Sequence, residues 1–319
     1  MGVFRQLFGF NQNKELTVLL PAIERAISKV EPQLRRTRRY PEAYYKPVKK
    51  ALEYARSLVH AVPGPVAVTS DAYAKDAYVH AIFPSMERVT EAFRTSRAMQ
   101  EYLRAHPSAD EIYALMGMRR REKTLLGLEL SGQIIQRDVP QHMVYFTSHT
   151  IESPASSEQQ LREQLEWTFF DSLVSKVAKR VELRKQEITM QQQEKDLLMA
   201  RMRAATTETR PALEAELSGL LSRMQSNTRS LELHNYQNDF EAVLLNPEQH
   251  LRLKPAPMIL DSMGIRRESD ETEQGVPIVF SDLIGFDRRD WTVTMVYCRD
   301  IQSETFAARL ETAYRKLCI

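Results

Sequence analysis

The chain has 319 residues, of which 43% are hydrophobic and 27% charged, with 44 Lys plus Arg against 42 Asp plus Glu. This balance excludes a uniformly basic nucleic-acid-coating protein and an acidic disordered chain. Glycine occurs 10 times and no glycine-rich phosphate-binding motif is present, which argues against the common nucleotide-binding folds.

Residues 1–116 are predicted to form a helical region. Apolar residues recur at helical spacing in three segments, and Pro21 is expected to mark the start of the first of the true helices. Ser108–Glu111 is a capping-box pattern that predicts a short helix to about Met116. If Met1–Phe10 is helical, its apolar residues share one face. That face fits either a weak contact with a membrane surface or an arm packed against protein.

From Met118 the apolar period changes from about 3.6 to about 2, which indicates strands. Three strands are predicted before residue 150 and three more between residues 257 and 297, with Pro140 expected to end one of the first group. Because a three-stranded piece alone is marginally stable, the two groups predict one antiparallel β-sheet or small barrel formed by residues 117–157 and 248–319. A C-terminal helix follows, with a packing stripe that includes Phe306, Leu310 and Leu317.

The segment between the two strand groups predicts a coiled coil. Residues 158–205 lack Pro and Gly, and alternating steps of three and four residues define a stripe from Trp167 to Ala205. A similar stripe runs from Leu213 to Leu245 after a short break. The break requires antiparallel neighbours, so residues 158–247 are predicted to form a long coiled-coil hairpin inserted in the β-rich domain. Reflection about residue 208 places Val181 level with His234.

Polar residues interrupt both stripes and are candidates for setting register or choosing a partner. The alternative is that long side chains extend out of a shallow two-helix seam into solvent. These residues are Arg184, Gln191, Lys195, Asn227, His234 and Asn238.

A basic cluster lies near the N-terminal helices. Its cations are interleaved with Tyr40, Tyr44 and Tyr45, a combination that suits contact with an anionic membrane surface or with nucleic acid. The default interpretation of such a run is a solvated surface. The cations are Arg35, Arg36, Arg38, Arg39, Lys46, Lys49 and Lys50.

No catalytic residue, cofactor or metal site is predicted. Asp76 and His80 have a ligand-like spacing but no evident further ligands. Two cysteines, Cys298 and Cys318, fit a reduced cytoplasmic compartment, and no stretch approaches 18 consecutive apolar residues.

The sequence therefore predicts an α+β protein that acts as a non-enzymatic cytoplasmic scaffold or adaptor. Its hairpin would bind a protein partner or drive self-association into an oligomer. Two alternatives stay open: a peripheral membrane or nucleic-acid-associated factor using residues 35–50, and an enzyme with an unrecognised active site.

Overall fold

A computed structural model describes residues 3–131, 134–206, 208–230, 233–267, 275–285 and 290–299. The chain divides into two compact units. The helical unit comprises Met1–Ala55 and Thr168–His250, and the sheet unit comprises Arg56–Trp167 and Leu251–Ile319. Helices and an antiparallel sheet are both present, so the α+β class is confirmed. The predicted domain boundaries at 116/117, 157/158 and 247/248 do not coincide with this division, because helical segments distant in sequence pack into one core.

Among the described residues, five helices supply residues to the helical unit, and the second and third of them also extend into the sheet unit. They are α1 (Val3–Val30), α2 (Glu42–Ala61), α7 (Glu158–Ala204), α8 (Arg210–Ser230) and α9 (Leu233–Leu244), with a 3₁₀ helix, Pro32–Arg36, between α1 and α2. Helix α1 continues through Pro21. The expectation that a helix starts there is wrong, because the described helix already begins at Val3.

The core of the helical unit consists of apolar side chains at helical spacing. Ile23 and Ile27 of α1, Tyr44 of α2 and Phe240 of α9 are fully buried. The Tyr44 and Phe240 rings meet edge to face, with centroids 5.2 Å apart. This edge-to-face contact is a favoured aromatic geometry, and it fastens α9 to the start of α2.

Ion pairs join α7 to neighbouring elements of the helical unit. Arg25 Nε donates to Asp171 Oδ1 at 2.8 Å, and Lys185 Nζ donates to Glu31 Oε2 at 2.6 Å. Glu31 is buried and also accepts the backbone N–H of Gln33. Burial alone would raise the pKa of Glu31, but the bonds from Lys185 and Gln33 outweigh it and lower that pKa. The buried carboxylate therefore stays charged and bridges α7 to the 3₁₀ helix.

The described residues of the sheet unit form seven strands and four short helices. The strands are β1 (Val66–Ala67), β2 (Glu111–Ser131), β3 (Ile134–Ala155), β4 (Arg252–Leu260), β5 (Arg266–Arg267), β6 (Val276–Ile284) and β7 (Asp290–Arg299). The helices are α3 (Ser70–Lys75), α4 (Ala77–Ile82), α5 (Met86–Thr95) and α6 (Arg97–Ala105).

The two predicted strand groups do pair. The strand order is β3-β2-β7-β6-β4-β5, and β1 pairs with β7 in parallel. The register between the groups sets Glu111 opposite Arg299 and Met118 opposite Thr292. The described strands leave the sheet open, with β3 and β5 at its ends, and one isolated bridge links Met143 to Ile265.

Strand β2 begins at Glu111, so the prediction of a short helix ending at Met116 is wrong. The segment contains good helix formers, but pairing with β7 on one side and β3 on the other overrides that local preference. Beyond Met118, β2 pairs with β3 and no longer with β7, so the two strands continue as a ribbon.

Pro140 lies inside β3, where the sequence predicted a strand end. The Val144 N–H bonds to the Gly264 carbonyl at 2.8 Å, so even-numbered residues here turn their N–H away from β2. Pro140 has the same parity as Val144, so its backbone nitrogen also faces away from β2. A proline has no N–H, so no unpaired donor is left at this position. Proline is tolerated at such an edge, and it also discourages pairing with another strand.

Helices α3 to α6 share one hydrophobic cluster with one face of the sheet. Phe83 from the loop after α4, Met99 of α6, Met116 of β2 and Phe280 of β6 are fully buried in it. His149 of β3 joins this region, since its ring stacks on Phe83 at 4.6 Å between centroids. The β-rich region is therefore a sheet covered by the short helices that precede it in sequence.

The predictions for the two ends of the chain fall outside the described residues. The C-terminal helix with Phe306, Leu310 and Leu317 lies beyond Arg299, and the side chains of Met1–Phe10 are likewise not described. Among the helices that the structure does describe, none combines the length and apolar character needed to cross a bilayer.

Candidate interaction surfaces

The stripe predicted from heptad spacing is the side of α7 that becomes buried. Phe170, Val174, Val177 and Val181 are buried in the first half of the stripe, and Leu198 is buried again in the second half. Leu198 belongs to a small hydrophobic cluster between α7 and α8. The other members of this cluster are Leu213, Leu220, Met202, Ala205, Leu217 and Met224. Glu194 and Arg223 also form an ion pair between the two helices at 3.6 Å. The predicted spacing therefore identifies the contact faces of α7 and α8.

The polar residues of the α7 stripe have different surroundings. Arg184 forms an ion pair with Asp239 of α9, with Nε 2.9 Å from Oδ2. The Oε1 atom of Gln191 is buried without a hydrogen-bond partner among the described residues. Lys195 is half-buried and its nearest carboxylate is that of Asp196, at 3.9 Å. Only Arg184 therefore has a specific cross-helix ion pair within the described part of this stripe.

The residues of α9 that the sequence placed in the stripe do not lie on the buried side of this helix. His234 and Asn238 are exposed, while Tyr236, Phe240 and Val243 are buried. The predicted pairing of Val181 with His234 is therefore wrong. Arg184 instead forms its ion pair with Asp239, several residues later than reflection about residue 208 would place its partner. The Asn227 side chain lies outside the described residues.

A second stripe on α7 escaped the sequence interpretation. Leu183, Met190 and Leu197 recur every seven residues, and 54%, 68% and 62% of their respective surfaces are exposed. Between and after them lie other uncharged, exposed residues, namely Gln186, Gln193, Ala200 and Ala204. Steps of three and four residues connect all seven residues. Each of them lies two positions after a residue of the buried stripe. A search for two parallel stripes on one helix would have found this feature.

The basic cluster at residues 35–50 separates into engaged and unengaged cations. Arg35 donates to Glu24 Oε2 at 2.9 Å, Lys49 donates to the Tyr45 hydroxyl at 3.2 Å, and Lys50 donates to the Leu245 carbonyl. Arg36, Arg38, Arg39 and Lys46 are exposed, and none of the four forms an ion pair within the described part of the chain. Folding thus leaves four of the seven predicted cations available to a partner.

The aromatic residues of that cluster are not available for stacking. Tyr44 is fully buried, and Tyr40 is half-buried with its hydroxyl donating to Glu24. Burial, reinforced by the Glu24 carboxylate, raises the pKa of Tyr40 to about 12, so its hydroxyl stays protonated. Tyr45 is half-buried beneath the Lys49 ammonium group. The cluster therefore presents cations without the free aromatic faces that single-stranded nucleic acid requires.

The sheet unit carries an open groove of about 920 Å³. Apolar lining is supplied by Pro257 and Ile259 of β4 and by Pro277 and Val279 of β6, and polar lining includes Glu122, His142, Arg266 and Arg267. Arg267 is held by Asp261 at 2.8 Å, and His142 Nδ1 lies 3.4 Å from Thr124 Oγ1. No group of three His, Cys, Asp or Glu suited to a metal ion occurs among the residues whose placement is described.

No protein-family model matches the chain, and no curated protein or solved structure is similar enough to be matched to it. The two surfaces of the helical unit, the uncharged stripe of α7 and the unengaged cations, are therefore interpreted from their own physical properties.

Proposed function

We propose that this protein is a non-enzymatic cytoplasmic scaffold that self-associates through a coiled-coil hairpin formed by α7 and α8. The buried stripe of α7 would hold the hairpin together. The second, exposed stripe would then pair with the same stripe of another copy. The buried free thiol of Cys298 is compatible with a reduced compartment.

The observation that carries the proposal is the exposed heptad spacing of Leu183, Met190 and Leu197. Seven residues of helix rise about 10.5 Å, so the three side chains form a row along one side of α7. Scattered exposed apolar residues are normal, but an aligned row with uncharged residues between its members is the pattern that pairs helices in water. Each of these side chains gains about 1–2 kcal/mol when it is removed from water, which is enough for reversible pairing.

The test is sedimentation velocity of the full chain across protein concentrations of about 5 to 100 µM, since self-association follows mass action. We expect a concentration-dependent dimer or larger species. The triple variant Leu183→Gln, Met190→Gln, Leu197→Gln should sediment as a monomer over the same range, because it removes the apolar row without adding charge.

A matched control changes three equally exposed apolar residues of the sheet unit, Leu126→Gln, Leu128→Gln and Met263→Gln. This control loses the same kind of surface and should associate like the unmodified chain. The proposal fails if the unmodified chain is monomeric throughout, or if the control dissociates as readily as the α7 variant.

A further inference from the structure

Four exposed cations of the helical unit lie close together in the sequence, between residues 36 and 46, and none of them forms an ion pair with a described residue. Arg36, Arg38 and Arg39 lie in and directly after the 3₁₀ helix, and Lys46 follows in α2. We call these four residues the cationic turn. The neighbouring exposed carboxylate is Glu42, so the turn keeps a net positive charge.

The backbone beneath the cationic turn is held in place by hydrogen bonds. The Thr37 hydroxyl donates to the Leu34 carbonyl at 2.8 Å, and Leu34 is fully buried. Arg35, between Leu34 and the turn, is bonded to Glu24 and Ser28 of α1. The four cations therefore extend from a supported backbone, and no ordering of a loop has to accompany binding.

We propose that the cationic turn binds an anionic membrane surface through the phosphate and carboxylate groups of lipid headgroups. Closely spaced cations without partners repel one another, and a surface of negative headgroups relieves this repulsion. A Lys or Arg at such a surface contributes about 1 kcal/mol, which corresponds to about fivefold in affinity for each cation.

Two observations favour a lipid surface over nucleic acid. The tyrosines interleaved with the cations are buried or half-buried, so bases have no free aromatic platform on which to stack. In addition, Leu20 is exposed one helical turn before Glu24, the residue of α1 that contacts Arg35. Apolar side chains beside cations suit the boundary between headgroups and acyl chains.

The experiment is co-sedimentation of the full chain with vesicles of phosphatidylcholine, alone or with about 30% phosphatidylserine, at about 50 and 200 mM NaCl. We expect binding to the anionic vesicles that weakens with salt, and little binding to the neutral ones. The quadruple variant Arg36→Gln, Arg38→Gln, Arg39→Gln, Lys46→Gln should bind at least about tenfold more weakly and show a flatter salt dependence. Circular dichroism establishes that this variant is folded.

A control with the same change in net charge replaces four exposed cations of the sheet unit: Lys75→Gln, Arg104→Gln, Arg252→Gln and Lys254→Gln. It should retain binding within about threefold, because long-range charge alone contributes little at these salt concentrations. Equal loss in both variants, or no binding of the unmodified chain to anionic vesicles, overturns the proposal. So does a DNA oligonucleotide that binds more tightly than the vesicles and loses affinity in the quadruple variant, because the turn would then be a nucleic-acid site.

Discussion

His149 shows how one half-buried side chain can couple the stability of the sheet unit to pH. Its Nε2 lies 2.8 Å from the Ile82 carbonyl, so a neutral ring donates a hydrogen bond there while stacking on Phe83. Burial lowers the pKa of His149; the Ile82 carbonyl acts in the opposite direction, and Arg88 adds to the lowering. The neutral imidazole is thus the form that the folded state favours.

We expect the sheet unit to lose stability as the pH falls from 7.5 to 5.5. In this window the unfolded state binds more protons than the folded state, because the pKa of His149 is below 6.5 only when folded. His149→Gln should reduce this pH dependence. Both tryptophans, Trp167 and Trp291, belong to the sheet unit, so urea unfolding followed by tryptophan fluorescence measures its free energy of unfolding.

The control is His142→Gln, which removes an exposed histidine from the same strand. Because this substitution leaves the contacts of His149 with Ile82 and Phe83 in place, the effect of His149→Gln should be the larger of the two. An unchanged pH dependence in His149→Gln would show that other groups produce the effect.

At the scale of single elements, α7 illustrates how helical phase decides which side chains are buried. Leu197 and Leu198 are adjacent in sequence, yet 62% of Leu197 is exposed and only 2% of Leu198. A step of about 100° around the helix axis separates them. Leu198 contacts α8 and Leu197 faces solvent, so the same residue type has two different roles.

Leu198→Ala should destabilise the helical unit by about 2 kcal/mol, through lost transfer free energy and a cavity beside α8. Leu197→Ala, the matched control, should change stability by less than about 0.5 kcal/mol. Thermal unfolding followed by circular dichroism, at a concentration low enough to suppress self-association, gives both values. Equal effects of the two substitutions would mean that α7 and α8 do not pack as described.

At the scale of the whole molecule, the two units are each built from segments that are far apart in sequence. The predicted hairpin, residues 158–247, supplies Asp171, Lys185 and Phe240 to the core contacts of the helical unit. We therefore expect that it cannot be removed as a whole without loss of the helical unit. Its distal part contains a separate cluster around Leu198 and Leu220. Every described member of that cluster belongs to α7, to α8 or to the loop between them.

Two deletions test this division. Replacing residues 190–229 by a Gly-Ser linker of about six residues should leave a cooperatively folding helical unit, because the contacts of Lys185 and Phe240 survive. Replacing residues 158–247 should unfold α1 and the first half of α2, since their buried side chains lose their partners. Far-UV circular dichroism during thermal unfolding distinguishes the two results. Cooperative unfolding of α1 and α2 after the larger deletion would contradict the assignment.

The sequence by itself determined the features that depend on local periodicity. The three-and-four spacing of α7 and α8 predicted their buried faces, because a helix exposes its sides at a fixed angular step. Enrichment in β-forming residues predicted β7 closely, and the need to pair short strand groups predicted one sheet. The basic cluster and its location near the N-terminal helices could also be predicted, since charge runs are visible without a fold.

Tertiary contacts decided the remainder. Residues 111–116 have a helical signature but form a strand, because partners on both sides outweigh a capping motif. The pairing of Arg184 with Asp239 departs from simple reflection about residue 208, and only the packing of α9 against α7 sets it. Arg36 is available to a partner and Arg35 is not, because Glu24 of α1 lies within hydrogen-bond distance of Arg35. Each outcome rests on residues distant in sequence, and proximity between such residues is a property of the fold, not of the local pattern.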